Sequence, residues 1–185
     1  GSSTGGPQAL ANVFENLPAT IEVPIVVAQH MPPTFTKILA ERIENLSSWK
    51  CHEAEDGEEL KSGTVLIAPG GYHMVVAMDG AKVVARLNQD AAENFCRPAV
   101  DPLFRSVASV YGAASLAVVL TGMGHDGRNG GQMIVDKGGT LYAQDEQSSV
   151  VWGMPGAVAV AGICSKVIPL DSVATEIKNY VSRVV

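Results

Sequence analysis

Three short polar segments of the sequence carry the residue types that nucleophilic catalysis requires. Ser3 lies in a glycine-rich opening segment, His30 follows a short apolar run, and Asp126 lies in a second glycine-rich segment. A serine hydroxyl becomes a strong nucleophile when an imidazole removes its proton and a carboxylate orients that imidazole. These residue types therefore indicate acyl transfer of the kind a serine hydrolase performs.

None of the three segments is specific when taken alone. The stretch Gly1–Gly5 matches the short pattern Gly-x-Ser-x-Gly, in which a sharp turn exposes the hydroxyl, but serine and threonine before a helix also act as helix caps. His30 alone is compatible with a loop imidazole bonded to the backbone, and Asp126 with an ordinary turn or cap. The hypothesis gains weight because all three residues are predicted to follow secondary-structure elements at one end of a sheet.

Apolar periodicity predicts those elements. Helical spacing begins at Pro7, a buried run at Ile25–Ala28 leads to His30, and a second buried run at Ser115–Leu120 leads to the segment that holds Asp126. The other predicted strands lie near 65–68, 140–143 and 167–170, and the other predicted helices near 35–46, 100–111, 130–137, after 155 and at 173–181.

The alternation of strands and helices predicts an α/β fold, doubly wound, with a mostly parallel sheet, helices on both faces and right-handed crossovers. Asp79-Gly80 between two β-rich runs predicts an antiparallel β-hairpin within this pattern. Ligands of open α/β sheets collect beyond the carboxyl ends of the strands. The loops of Ser3, His30 and Asp126 are predicted to meet there.

Composition limits the class of protein. The 185 residues are 46% hydrophobic and 17% charged, which predicts one compact domain over residues 1–185. A net charge of −6 argues against nucleic acid or an anionic membrane surface as a partner. The sequence shows no bilayer-length apolar run and no secretory leader, so we expect a cytoplasmic protein without membrane insertion. Neither a metal site nor a disulfide framework is expected, because no ligand or cysteine spacing supports one.

The same segments, taken in order along the whole chain, carry a family resemblance. They are Gly1-Ser2-Ser3-Thr4-Gly5-Gly6, Gln29-His30-Met31-Pro32, Ala68-Pro69-Gly70, Arg97-Pro98-Ala99-Val100-Asp101, Thr121-Gly122-Met123-Gly124-His125-Asp126-Gly127 and Gly153-Met154-Pro155. Jointly they resemble the CheB family, the chemotaxis protein-glutamate methylesterases. The resemblance implies a catalytic triad in which Ser3 is the nucleophile, His30 the base and Asp126 the residue that orients the base, with no cofactor.

The resemblance also implies a substrate and partners. It implies demethylation of glutamyl methyl esters on the cytoplasmic helices of methyl-accepting chemoreceptors, and deamidation of receptor glutamines. We expect backbone N–H groups of Thr4 and Met123 to stabilise the oxyanion, and Arg97 to engage the acidic receptor surface or line the cleft.

Two departures from the family pattern lead to further expectations. A buried strand normally precedes the serine segment, whereas this sequence starts at Gly1, so Ser3 is expected on a terminus that frays and lowers activity. The family's full-length members usually carry an N-terminal receiver domain that restrains the esterase. None is present here, so residues 1–185 are expected to be either an isolated catalytic domain or a family member without its regulator.

Competing site residues stay open at this point. Ser2 adjoins Ser3, but the resemblance places the nucleophile second, and His125 beside Asp126 rivals His30 as the base.

Other reactive side chains are weaker candidates. His52 lies in an acidic run that predicts a solvated face, and His73 lies beside a hairpin strand. Cys96 is expected to be a structural thiol, as are Cys51 and Cys164, since no base is placed near it by the sequence.

Two other functional classes compete with an esterase. One is a catalytically inactive domain that binds receptors or acts as a scaffold. The other is a flavodoxin-like module whose glycine-rich opening grips an anion at a helix N-terminus, although that segment lacks the lysine and spacing of a phosphate-binding loop.

Overall fold

The computed structural model describes residues 1–184, which contain eight strands and six α-helices; these alternate along the chain except for four consecutive strands between the second and third helices. The strands are β1 (Ile25–Val27), β2 (Lys50–Glu53), β3 (Thr64–Ile67), β4 (His73–Asp79), β5 (Lys82–Asn88), β6 (Leu116–Val119), β7 (Thr140–Gln144) and β8 (Lys166–Ile168). The helices are α1 (Gly6–Asn16), α2 (Phe35–Leu46), α3 (Val100–Tyr111), α4 (Arg128–Asp136), α5 (Met154–Val160) and α6 (Leu170–Val184).

The strands form two parallel half-sheets and one hairpin. One half-sheet has the order β1-β3-β2, with Val26 opposite Leu66, and the other has the order β6-β7-β8. Strands β4 and β5 pair antiparallel, and their last pair joins Asp79 to Lys82. The hairpin therefore turns where the Asp-Gly dipeptide predicts it.

Residues 1–3, called the seam below, join the two half-sheets. On one side the Ser2 N–H donates to the carbonyl of Ala28 at 3.1 Å. On the other side the nitrogen of Gly1 donates to the carbonyl of Val118 at 2.8 Å, and the Leu120 N–H donates to the carbonyl of Gly1 at 2.9 Å. The expected fraying of this segment is not what the structure shows, because the seam is hydrogen-bonded on both sides.

An apolar cavity of about 310 Å³ lies beside Gly1, between the Val23–Val27 stretch and the Ala114–Val118 stretch, and reaches α6 at Val173 and Ile177.

Apolar cores cover both faces of the sheet. Alternate residues of β3 belong to different cores: Val65 and Ile67 pack with α1, α2 and α6, while Leu66 packs with α3, α4, α5 and the hairpin. A strand buried on both faces needs apolar residues at every position, which is why β3 reads as a continuous apolar run. The doubly wound α/β fold is confirmed.

Strand β2 was missed by the sequence analysis. Residues 50–53 pair in parallel with β3 as an edge strand, whereas the acidic run around His52 predicted only a solvated face. Only Cys51 of this strand is buried, so a four-residue edge strand carries almost no apolar alternation.

The helices of this domain are short. The longest, α6, has 15 residues, and within residues 1–184 no helix combines the length and the apolar character needed to cross a bilayer.

Candidate active site

The carboxyl ends of β1, the seam and β6 lie side by side, and the predicted catalytic residues follow directly from them. The His30 N–H donates to the carbonyl of Ser2 at 3.1 Å, and the Ser3 N–H donates to the carbonyl of Thr121 at 3.0 Å. Across the same edge, Nε2 of His30 lies 2.6 Å from Oδ2 of Asp126. The structure thus brings the loops of Ser3, His30 and Asp126 together.

The two neighbouring serines face different surroundings. Ser2 is fully buried, and its hydroxyl donates to Oε1 of Gln29 at 2.5 Å. The Gln29 amide donates in turn to the carbonyls of Ser3 at 2.9 Å and of His30 at 3.3 Å. Ser3 is half-buried, and its hydroxyl is hydrogen-bonded to no other group of residues 1–184. Ser3 therefore offers a hydroxyl to a substrate, while Ser2 supports the loops.

Gln29 joins two loops of the candidate site, and the sequence analysis did not single it out. It is 1% exposed and ties the Ser3 loop to the His30 loop through its amide. The available signal was a polar residue placed directly after the apolar run at Ile25–Ala28, where a buried amide must find several hydrogen-bond partners.

Glycines allow the backbone to approach the serine loop closely. A Cβ atom on Gly122 would lie 2.8 Å from Cβ and 2.9 Å from the nitrogen of Ser3, and one on Gly6 would overlap Oε1 of Gln29. Gly5 has φ of 79°, a left-handed conformation that turns the chain into α1. These positions explain why the segment around Ser3 is rich in glycine.

Asp126 is held as a carboxylate despite being 1% exposed. Burial alone raises the pKa of the Asp126 carboxyl, but hydrogen bonds to His30 and to backbone N–H groups outweigh it, so this pKa lies below its usual value. Its donors are the Val100 N–H at 2.6 Å, the Asp101 and Gly127 N–H groups at 2.9 Å, the Asn94 amide at 2.9 Å and Nε2 of His30 at 2.6 Å.

The second ring nitrogen of His30 faces a thiol. Because Nε2 donates to Asp126, Nδ1 carries the lone pair that can accept a proton, and Nδ1 lies 3.4 Å from Sγ of Cys96. The sequence placed no base near Cys96, whereas the structure places the His30 imidazole beside its thiol. Burial, reinforced by the nearby charge of Asp126, raises the pKa of the Cys96 thiol, so it stays protonated and is a poor nucleophile.

The residues expected to bind the oxyanion or substrate lie at the rim of the same edge. Thr4 is exposed, Met123 is 71% exposed, and within residues 1–184 the backbone N–H groups of both have no protein acceptor. Nη1 of Arg97 donates to the carbonyls of Gln89 and Asp90, both at 3.1 Å. The guanidinium therefore supports a loop, and its predicted role toward a substrate stays a prediction.

The other histidines are occupied elsewhere or exposed. His52 lies 2.6 Å from a carboxylate oxygen of Glu58, and His73 is buried between the carbonyl of Ala91 and the N–H of Ala99. His125 is exposed beside Asp126, but the imidazole that contacts the Asp126 carboxylate is that of His30.

A family model described as CheB methylesterase matches residues 1–177. The chain belongs to the CheB methylesterase family. The resemblance carried by the serine, histidine and aspartate segments is thereby confirmed at the level of the family.

Individual members of the CheB methylesterase family are similar over nearly the whole chain. Proteins named protein-glutamate methylesterase/protein-glutamine glutaminase 1 from Paramagnetospirillum magneticum and Rhodospirillum rubrum are each 58% identical to it, over 99% of this chain and 48% of their own length. The chain thus spans about half the length of the curated relatives it matches. The crystal structure of the Thermotoga maritima CheB methylesterase catalytic domain is 42% identical, with a TM-score of 0.95 over 97% of this chain and 95% of that one.

The arrangement at this edge can support acyl transfer. A buried carboxylate contacts an imidazole, and a hydroxyl that has no hydrogen-bond partner within residues 1–184 lies on the adjoining strand end. Within residues 1–184, backbone N–H groups that have no protein acceptor lie on both loops that flank the hydroxyl, at Thr4 and Met123.

Proposed function

We propose that this chain is the catalytic domain of a protein-glutamate methylesterase that also acts as a protein-glutamine glutaminase. Ser3 is the nucleophile, His30 the general base and Asp126 the residue that orients His30. The observation that carries the proposal is the 2.6 Å contact between Nε2 of His30 and the buried Asp126, on the loop beside the serine. Membership of the CheB methylesterase family and the names of the relatives support the same reaction.

Acylation begins when Nδ1 of His30 removes the proton from the Ser3 hydroxyl as its oxygen attacks the side-chain carbonyl of a glutamyl methyl ester. Asp126 stabilises the imidazolium that forms. The N–H groups of Thr4 and Met123 donate to the oxyanion, and losing one such donor typically lowers the rate about 10²- to 10³-fold. The imidazolium then protonates the departing methoxide, so methanol leaves and an acyl-serine remains.

Deacylation reverses these roles. His30 removes a proton from water, the hydroxide attacks the acyl-serine, and the proton returns to the oxygen of Ser3, which releases a glutamate side chain. A glutamine amide follows the same path with ammonia as the leaving group, which accounts for the second activity in the relatives' names.

The proposed substrates are methylated glutamates and glutamines on the cytoplasmic helices of methyl-accepting chemoreceptors, which places the reaction in the cytoplasm. The relatives are about twice as long as this chain. We propose that their additional length includes a receiver domain that restrains the esterase until it is phosphorylated.

Neither competing function is favoured. The matched relatives carry enzyme names, which weakens the case for an inactive scaffold. Anion binding at the glycine-rich segment would also not require the contact between His30 and Asp126.

The test is release of methanol from methylated chemoreceptor by the purified domain and its variants. Ser3→Ala and His30→Ala are each expected to lower kcat by about 10⁴-fold or more, and Asp126→Asn by about 10⁴-fold, since triad members act as a unit.

Ser2→Ala is the matched control for the nucleophile. It removes a neighbouring hydroxyl that bonds only to Gln29, so it is expected to lower stability by about 1 kcal/mol while retaining turnover. Full activity in Ser3→Ala would rule out the proposed nucleophile, and a wild-type domain that binds receptor without releasing methanol would favour the scaffold.

A further inference from the structure

Residues Glu93 to Cys96 form a tight turn, called the 93–96 turn below, that touches the candidate triad at two points. Its ends are joined by two backbone hydrogen bonds, from the Glu93 N–H to the Cys96 carbonyl at 3.1 Å and from the Cys96 N–H to the Glu93 carbonyl at 2.9 Å. Its central residues, Asn94 and Phe95, have φ of 51° and 64°. Both are left-handed, a conformation that raises the energy of residues other than glycine.

An ion pair with α3 holds the turn in this strained conformation. Arg105 of α3 donates to both carboxylate oxygens of Glu93, at 2.8 and 2.5 Å. This two-point bond is the main reason why the pKa of the Glu93 carboxyl lies below its usual value. Phe95 is fully exposed, so its own side chain contributes no burial that would favour the turn.

The side chain of Asn94 joins two buried carboxylates. Its Nδ2 donates to Oδ1 of Asp126 at 2.9 Å and to Oδ2 of Asp101 at 3.0 Å, and these carboxylates are 1% and 2% exposed. Both partners are acceptors, so the amide nitrogen rather than the amide oxygen must face them, and both of its hydrogens are used.

Two buried carboxylates placed this close repel each other. Besides Asn94, the donors to Asp101 are the backbone N–H groups of Gly127 and Gly130, at 3.0 and 2.7 Å. Besides Asn94, the only side chain that donates to Asp126 within residues 1–184 is His30. Asn94 is therefore the side chain that lies between the two charges and fixes the Asp126 carboxylate on the side opposite His30.

We propose that Asn94 is a positioning residue for the esterase reaction. Its amide, held by the 93–96 turn, keeps the Asp126 carboxylate in the orientation that faces Nε2 of His30 and separates it from Asp101. This inference rests on the proposed function, since it assigns a role to Asn94 through Asp126.

Two glycine substitutions in the same turn test the proposal. Asn94→Gly and Phe95→Gly both relieve a left-handed position, but only the first removes the amide between the carboxylates. Hydrogen bonds to charged groups are each worth about 1.5–3 kcal/mol, so kcat of Asn94→Gly for methanol release is expected to fall about 10- to 100-fold with KM within about twofold. Phe95→Gly is expected to keep kcat within about twofold. Equal kcat values for the two variants would overturn the proposal.

A third variant tests the sign of the electrostatic effect. Asn94→Asp keeps the shape of the side chain but replaces both donated hydrogens with a further negative charge, so its kcat is expected to be lower than that of Asn94→Gly. Wild-type kcat in Asn94→Asp contradicts the proposal. If Asn94→Gly does not fold, Asn94→Ser, whose hydroxyl donates to one carboxylate at most, decides the question by the same comparison of kcat and KM.

A spectroscopic measurement separates this inference from the proposed function. The proton between Nε2 of His30 and Asp126 gives a downfield NMR resonance that requires no substrate. We expect this resonance to shift or broaden in Asn94→Gly and to stay unchanged in Phe95→Gly, at matched thermal stability. An unchanged resonance in both variants would overturn the positioning role, whereas full activity of Ser3→Ala would overturn only the proposed reaction.

Discussion

Among single residues, Cys96 has the most unusual position, because its thiol contacts the imidazole nitrogen that must accept the serine proton. A thiol beside a histidine suggests a cysteine nucleophile, yet burial raises the pKa of this thiol and keeps it in the unreactive protonated form. The contact is therefore a weak hydrogen bond from Sγ of Cys96 to Nδ1 of His30.

Cys96→Ala is expected to retain methanol release within about fivefold of the wild-type kcat/KM, because the Ser3 hydroxyl and the His30–Asp126 pair stay intact. The measurement is steady-state kinetics with methylated receptor, with Ser3→Ala as the inactive reference. A loss in Cys96→Ala as large as that in Ser3→Ala would make the thiol the nucleophile.

Asp126 makes the stability of the domain depend on pH in a defined direction. Its folded pKa lies below the unfolded value of about 3.9, so the unfolded chain binds more protons between the two values and stability rises with pH there. Urea titrations of wild type and Asp126→Asn measure the difference in their free energies of unfolding. We expect this difference to have its full size at pH 7 and to shrink as pH falls below about 4.

Asp101 provides the opposite control for that measurement. Burial raises the pKa of its carboxyl, so its favourable contribution is present at low pH and is lost as pH rises through the folded pKa. The stability difference between wild type and Asp101→Asn should therefore change with pH in the opposite sense to that of Asp126→Asn. If the stability difference changed with pH in the same direction for both variants, at least one of the two pKa shifts would have the wrong sign.

For single residues, the sequence predicted which side chains could react more readily than which side chains contact each other. Ser3, His30 and Asp126 were predicted because each has a reactive side chain in or after an apolar or glycine-rich run, and because the family resemblance selects them. Gln29 and Asn94 were not, because their importance comes from partners 26 to 32 residues away that no local pattern encodes. The contact between Cys96 and His30, 66 residues apart, could not be predicted for the same reason.

Among the secondary-structure elements, the close approach of the loop after β6 to the serine segment depends on Gly122. A Cβ there would lie 2.5 Å from Sδ of Met154 and within 2.9 Å of two Ser3 atoms, one of them backbone. Gly122→Ala is expected to destabilise the domain by about 1–3 kcal/mol through overpacking and to lower kcat, since the Ser3 backbone must shift. Thermal unfolding and methanol release measure the two effects.

Gly131→Ala in α4 is the matched control for Gly122→Ala. The nearest atom to its added Cβ is the end of the flexible Leu141 side chain, at 2.9 Å, so the neighbour can move without disturbing the backbone. This variant is expected to keep the wild-type kcat. Equal losses of kcat in both variants would indicate general destabilisation rather than displacement of the serine loop.

Element prediction from the sequence succeeded where an element is long or fully buried. The helix at 35–46 was predicted from its apolar spacing, but three residues of the predicted face, Phe35, Ile38 and Leu46, are 43–54% exposed. Periodicity thus located the helix but not the full width of its buried stripe. The short edge strand β2 was missed because one buried residue cannot establish a period.

For the whole molecule, the seam is important because it hydrogen-bonds to both half-sheets and contains Ser3, the proposed nucleophile. Activity and global structure are therefore expected to be lost together in urea. The midpoint for methanol release should match the midpoint of Trp49 fluorescence, measured in a Trp152→Phe background because the chain has a second tryptophan. Trp49 is 1% exposed in the core that contains α1 and α2. Activity that disappears well before the Trp49 transition would instead indicate local opening of the seam.

The seam that hydrogen-bonds to both half-sheets also ends in Ser3, the nucleophile of the proposed mechanism. A parting of the two half-sheets would move the serine away from its histidine, because His30 bonds directly to Ser2. The hydroxyl would then be harmless in any partially unfolded species. Such a domain would hydrolyse esters only when its seam is correctly paired, which protects other cellular esters from a misfolded copy.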